Sequence, residues 1–498
     1  MAALGSASLP TIIRKRLSGG LDEGHRALLR GAVTAVTIAT LLLSWGSAMH
    51  RVPANEPVLY DAWQNLTLAY NLAHHGVLSL SQDSARLSPS NMREPLPVAF
   101  LALHMASVEA IYGAMTLEQY QKGLGSGRLK ASNVFWAALL AYAVFASIVL
   151  LSGSVVLAGV GTWFTNLAVL EYLNKLLTEP QAAAILTLAC YVSVLALSRQ
   201  HVLYFGLAGV CFGALALTKV AGFYVAIVLV CLLLGWSLWQ LGWPTEARFV
   251  RLPSVIVFAL GFAFTVGPWM LRNYVLLDSK GIVDNRATIV LMVRAAKNNM
   301  SWAEYRGSFF VWAPNELLRR AASALLGFSD ADLNRGERLQ RVNRASNSDY
   351  YASDLEAARA GRPQDAISFR FRTSAERKKI MRELVAQGYS RIAAESELQR
   401  RAIRQILGDP IKHLAMTVAF LWRGAGVIFP VLGIVACFAV RVRRADLIVY
   451  LLPALGLVLF YALVTHFLPR YGDPMVPVSI VGGLVLSHAV LRQWINRE

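Results

Sequence analysis

The chain has 498 residues, 56% of them hydrophobic and 16% charged, with mean hydropathy +0.47 and formal net charge +18. An average soluble domain is about 45–50% apolar and 25% charged, so this balance belongs to the membrane class and excludes disordered and collagen-like chains. The positive charge has no interleaved aromatics of the kind a nucleic-acid surface needs; it reads as cytoplasmic loops and headgroup contacts, and no nucleic-acid partner is expected. Cys190, Cys211, Cys231 and Cys437 lie in apolar runs without CxxC spacing, which suggests neither a disulfide framework nor a zinc site.

A hydrocarbon core of about 30 Å asks for about 20 apolar residues per helix. Ten runs meet that demand, at about 29–49, 133–152, 154–173, 181–198, 203–218, 221–241, 253–271, 424–440, 446–465 and 474–491. The chain therefore divides into a cytoplasmic tail (1–28), a transmembrane module (29–273) with a first outer loop at 50–132, an extracytoplasmic helical loop or cap at 274–423, and C-terminal transmembrane helices with a short cytoplasmic tail at 424–498. Arg14, Lys15, Arg16, Arg26 and Arg30 lead into the first run, a basic segment too long for a signal peptide, so that run is expected to be an uncleaved anchor.

Orientation turns on Pro95 to Met115, an apolar stretch carrying His104 and Glu109. If it lies at the interface, short inward segments collect thirteen Lys and Arg, including Arg199, Arg248, Arg251, Arg441, Arg443, Arg444, Arg492 and Arg497. Short outward loops then hold only Lys175, Lys219 and Arg470. The positive-inside rule thus predicts an interfacial stretch, cytoplasmic termini and two long outer loops. Residues 274–410 carry 23 basic and 16 acidic residues, with helical runs at Ser374–Val385 and Arg391–Leu407 and an amphipathic helix at about 411–421. That patterning predicts a helical cap rather than a linker. No internal repeat and no β-barrel alternation is seen.

Few ionisable residues stand near mid-membrane, where transporters and pumps keep them; Asp446 and His488 fall near span ends. Arg93, Glu94, Glu179, Lys219, Arg272 and Arg470 all sit at outward ends of apolar segments, at the level of a lipid phosphate.

The order of motifs in these rims resembles a known family. Tyr60-Asp61-Ala62 precedes an amphipathic stretch ending near His75-Gly76, then Arg93-Glu94-Pro95-Leu96. Thr178-Glu179-Pro180, Leu217-Thr218-Lys219 and Pro268-Trp269-Met270-Leu271-Arg272-Asn273-Tyr274 follow. Ala402-Ile403 with Asp409-Pro410, and Arg470-Tyr471 with Pro474 and Pro477, complete the series. From about residue 30 to 491 this is similar to the polytopic GT-C glycosyltransferases, in the branch of protein mannosyltransferases and lipid A aminoarabinose transferases. The resemblance implies an all-α polytopic membrane fold of about ten transmembrane helices with outer-face juxtamembrane helices and a helical extracytoplasmic cap. It implies transfer of a sugar from a polyprenyl-phosphate donor to a glycan, lipid or protein acceptor, on the outer face of a bacterial inner membrane. The family's catalytic base falls on Asp61. Where family members often have a paired acidic motif or Lys-Pro-Pro-Leu, this chain has a lone Tyr-Asp and Arg-Glu-Pro-Leu.

The chemistry asks for matching residues. An inverting transfer needs one base for the acceptor proton, which Asp61 can supply, and no second carboxylic acid, because phosphate leaves as an anion. Arg offers paired N–H donors to phosphate and Lys a point charge, which suits Arg93, Arg272, Arg470 and Lys219 as donor-phosphate ligands. Glu94 and Glu179 are candidates for an acceptor or metal site, with a divalent cation left open. Each has a simpler reading: Asp61 followed by Gln64 fits a helix N-cap, Arg272 and Arg470 fit snorkelling anchors, and Glu179 before Pro180 fits a helix first turn. His74 and His75 read as surface or packing residues, and Asn65-Leu66-Thr67 matches a glycosylation acceptor. The competing function is a transporter or flippase of lipid-linked or small solutes, which predicts inverted repeats and interrupted helices.

Overall fold

The computed structural model describes residues 23–51, 55–242, 251–283 and 286–495; Arg14, Lys15, Arg16, Arg248 and Arg497 of the charge pattern lie outside the described residues. Among the described residues every regular element is helical and no strand occurs. Eight helices are long and apolar enough to cross a membrane: Gly31–Arg51, Pro95–Tyr112, Ser126–Ser152, Glu179–Arg199, Ala221–Leu238, Leu252–Leu277, Ala445–Val464 and Pro469–Trp494. Pro410–Ala425 and Ile428–Arg441, broken at Gly426, pass together as a ninth. These helices are those of an integral membrane protein.

Seven of the expected runs coincide with the long helices and an eighth with the broken pair. The other two, 154–173 and 203–218, fold as the shorter helices Val155–Val169 and Val202–Ala216. The first stops where Glu171, Tyr172 and Asn174 replace apolar residues with a 3-10 turn, and the second where Leu217-Thr218-Lys219 turns the chain. Pro95–Tyr112 meets the length and composition test, yet its polar groups find partners within residues 55–132. His104 meets the Arg128 carbonyl at 2.9 Å, and Glu109 accepts from the Tyr120 hydroxyl at 2.9 Å and lies 3.0 Å from His74.

The described chain forms two compact units, one of residues up to Ile282 with Val431–Gly456 and from Asp473 onward, the other of Val283–Pro430 with Leu457–Gly472. In the first, Glu179–Arg199 is the central helix, with 78% of its apolar window buried against 11% for Gly31–Arg51 at the periphery. Hydroxyls on these apolar helices bond back to the preceding turn, as Ser147, Thr162 and Thr187 do to the carbonyls of Ala143, Ala158 and Ala183, which satisfies them without water. Large apolar side chains such as Leu43 and Phe264 stay outward, as lipid contact requires. Val202–Ala216 and Leu252–Leu277 touch through backbone: a Cβ on Gly209 would lie 2.0 Å from the Phe258 carbonyl oxygen, and one on Gly261 2.3 Å from that of Gly206. Small residues are what permit such an approach between membrane helices.

The second unit is a helical domain with its own apolar cluster, Phe310, Phe328 and Leu339. Its helices start on side-chain caps: Ser301 with Glu304 as a reciprocal box, Asn315, Ser390 and Asp409. The anticipated runs appear as Phe369–Ala386, Arg391–Gly408 and Pro410–Ala425. Buried Asp354 accepts the Ile367 and Ser368 backbone N–H groups at 2.6 and 2.9 Å and fixes the turn into Phe369–Ala386. Arg294, fully buried, spends its guanidinium on the carbonyls of Ala462 and His413, Asn298 Oδ1 and Thr417 Oγ1, clamping four segments of this unit.

Candidate functional site

The site in the first unit begins with how the chain enters the helix Tyr60–His75. Residues 55–58 are held against the short helices that follow Pro95–Tyr112: Val58 N–H donates to Gln121 O at 3.0 Å, and the Ser126 hydroxyl donates to Glu56 O at 2.9 Å. Gly123, at φ +100, allows this, since a Cβ there would lie 2.6 Å from the Glu56 carbonyl carbon. The helix N-cap is Leu59, which has no capping side chain, and Asp61 stands in the first turn, so Asp61 does not occupy the cap position. Tyr60, immediately before it, adopts φ +54, a left-handed conformation that non-glycine residues rarely take. Strain of this kind persists only where the surroundings over-determine it.

Those surroundings centre on Arg93. Its Nη1 lies 3.4 Å from Asp61 Oδ1, its Nη2 donates to the Asp61 carbonyl at 2.8 Å, and its Nε donates to Asn65 Oδ1 at 2.7 Å. Asn65 in turn donates to Leu176 O at 2.8 Å. The Arg93 side chain is 3% exposed and that of Asp61 23%, so the cation is enclosed while the carboxylate keeps an open edge. Asn65, buried and doubly engaged, is closed to glycosylation.

A second buried pair lies in the same unit. Lys219 Nζ is 3.0 Å from Glu179 Oε1, with both side chains nearly enclosed, and Glu179 Oε2 has no hydrogen-bond partner among the described residues. Beside them Asp473 accepts from the Tyr172 hydroxyl and feels the charges of Glu179, Glu171 and Lys219. Burial and this bond to Asp473 raise the Tyr172 phenol above its ordinary range. Arg272 donates through Nη1 to Ser90 O at 3.2 Å and Asn273 Oδ1 at 2.9 Å, with its guanidinium 4.8 Å from the centre of the Trp269 ring. Glu94 is the half-buried N-cap residue of Pro95–Tyr112 and makes no capping bond.

Backbone bonds join these motifs. Leu96 N–H donates to Leu217 O at 3.1 Å, tying Arg93-Glu94-Pro95-Leu96 to Leu217-Thr218-Lys219; Asn65 ties the first loop to the approach to Thr178-Glu179-Pro180; Arg272 grips it at Ser90. Thus Asp61 and Arg93 meet directly, Glu179 and Lys219 meet directly, and Arg272 holds the strand of loop that delivers Arg93. Arg470 belongs to the second unit, where it is half-buried with its guanidinium 5.5 Å from the Tyr471 ring centre. Among the described residues no group of three His, Cys, Asp or Glu is placed to hold a metal.

Sequence reasoning passed over Tyr172 and Asp473, and weighed Glu109 only as a charge within an apolar stretch. Asp473 follows Arg470-Tyr471 by two residues, and its proximity to a motif was the available signal. Glu109 had one in its position within an apolar stretch, as did His74, which stacks on Tyr70 at 4.1 Å while pairing with Glu109. Comparison with family models, curated proteins and solved structures finds no match to the chain.

Proposed function

We propose that the protein is an integral membrane glycosyltransferase of GT-C type, moving a sugar from a polyprenyl-phosphate donor to an acceptor hydroxyl on the extracytoplasmic face of the membrane. The observation that supports this most is the Asp61–Arg93 pair: a carboxylate with an open edge, held at both its side chain and its carbonyl by an enclosed guanidinium. A base must be positioned before substrate arrives, and here a single arginine fixes both the carboxylate and the first turn that carries it.

In this reading Asp61 takes the acceptor O–H proton as the oxygen bonds to the anomeric carbon. The bond from that carbon to the phosphate oxygen breaks, and the electron pair leaves with polyprenyl phosphate. Arg93 acts through Asp61 as a positioning residue, because its three donor nitrogens already face the protein. Lys219 and Arg272, both in the first unit, are the proposed phosphate contacts, which oppose charge as it develops on the leaving group. Glu179 balances Lys219.

The test is to incubate purified protein with a panel of radiolabelled polyprenyl-phosphate sugars and membrane-extracted acceptors. The expected outcome is release of polyprenyl phosphate with label in the acceptor fraction. Binding or translocation of the donor with no bond cleaved would replace the transferase with a carrier.

A further inference from the structure

The second unit holds buried cations that answer one another with a single sign. Lys297 is 4% exposed, and its Nζ lies 4.5 Å from the ring centre of Trp312 and 5.4 Å from that of Phe420. Arg423, 7% exposed, sets its guanidinium 4.6 Å from the same Trp312 ring and donates to the His466 carbonyl at 3.2 Å. Among the described residues the charged side chains that act most on Lys297 are Arg423, Arg344, Arg294 and Arg370, all cations. Ring faces offset part of the cost of enclosing such charge, and an opposite ion would offset the rest. Arg294 is occupied by its four protein acceptors; among the described residues Lys297 has the two rings and no carboxylate partner.

His466 gives a second, independent observation. It is 4% exposed, its Nδ1 has no hydrogen-bond partner among the described residues, and the charges acting most on it are Lys297 and three of the cations that act on Lys297, namely Arg423, Arg370 and Arg344. Burial holds the imidazole well below its ordinary range, so at neutral pH it is an uncharged ring with a polar nitrogen unspent. A buried polar atom left unsatisfied is uncommon in native proteins. Within the cluster Lys297 and Arg423 are enclosed, Arg370 is half-buried and Arg344 is exposed, so the cluster has members on the surface as well as inside.

Charge decides which anion. A phosphodiester carries one negative charge and a phosphomonoester about two; a diphosphate monoester adds a further one and comes nearest to four cations. We propose that Lys297, Arg344, Arg370 and Arg423, with His466, form a site for a diphosphate group, built wholly within the second unit and independent of the transfer reading. Its source is either a lipid headgroup or free pyrophosphate.

The experiment titrates full-length protein in nanodiscs, by calorimetry, with inorganic pyrophosphate, orthophosphate, a short-chain prenyl diphosphate and the matching prenyl monophosphate. Both diphosphates are expected to bind at least tenfold tighter than their monophosphate counterparts. Prenyl diphosphate tenfold tighter than pyrophosphate identifies a lipid headgroup; equal affinities identify the free anion. Lys297→Met and Arg344→Ala should each weaken diphosphate binding at least tenfold. Lys297→Met should also keep or raise the Tm of ligand-free protein, since it removes an enclosed charge, whereas a purely structural lysine would lower it. Arg344→Ala, in an exposed loop, supplies the answer if Lys297→Met does not fold. Diphosphate binding unchanged in the variants that fold, or monophosphate binding as tight as diphosphate, overturns the proposal.

Discussion

Arg93 holds Asp61 twice, with Nη1 3.4 Å from the carboxylate oxygen and Nη2 2.8 Å from the carbonyl oxygen of the same residue. This double grip sets the orientation of the carboxylate through the backbone as well as through charge. Removing the proposed base and removing its holder should therefore give different signatures.

For Asp61→Asn, transfer should fall by about 10² to 10⁴ while expression, Tm and donor affinity stay near wild type. Asparagine keeps the shape of the side chain and loses the basic oxygen. Near-normal turnover would move the search for a base to Glu56, Asp83 and Glu94 in the same loop.

Arg93→Met should lower both turnover and stability. It removes the Arg93 donor from buried Asn65 Oδ1, and an unmet buried acceptor costs about 1–3 kcal/mol. Arg93→Lys should rescue little, because an ammonium cannot reach three acceptors in a planar fork. Full activity in Arg93→Lys, measured beside the Tm, would show that charge alone matters.

The Lys219–Glu179 pair invites a double-mutant cycle. Lys219→Met leaves an enclosed carboxylate without its cation, for which the expected loss is about 3–5 kcal/mol; Glu179→Gln with Lys219→Met together should recover much of it. Additive losses in chemical unfolding would mean that the two side chains contribute independently.

Lys297 predicts a pH dependence with a defined sign. Its folded-state pKa lies well below the ordinary 10.5, owing to burial and then to Arg423, Arg344, Arg294 and Arg370. Between the folded value and 10.5 the unfolded chain binds more protons, so stability rises with pH across that window and is lost as pH falls through it. Lys297→Met should flatten the slope of Tm against pH in ligand-free protein over that window. An unaltered slope would assign it to other groups.

Topology is checked by labelling single cysteines in intact cells. Positions near Lys122 and Asp349 should react from outside and those near Arg443 should not. Reaction near Arg443 would reverse the orientation.

How far the sequence carries can be judged from particular residues. The long apolar helices were legible because a span of 18 or more residues is written in composition, as in Glu179–Arg199 and Ala445–Val464. Ends were less so: the run at 154–173 stops at Val169 because polar residues then take the chain into a 3-10 turn. For Arg93, span position gave the depth of the residue and not its direction, and its donors prove to face Asn65 and Asp61. Lys297, Arg423 and His466 left no local signal, since each is one polar residue among many in its segment and only the tertiary fold gathers them.

The helices Val155–Val169 and Val202–Ala216 have 15 residues each, about 22 Å at 1.5 Å per residue. A hydrocarbon layer of about 30 Å cannot be matched by that length, and tilting would only shorten the reach. If these two helices face lipid, the bilayer beside them thins so that headgroups sink toward them. On the proposed transfer reading, sunken headgroups would bring a phosphate on a long isoprenoid tail deeper than it lies in the undisturbed bilayer, and so lessen the climb its sugar must make to the protein.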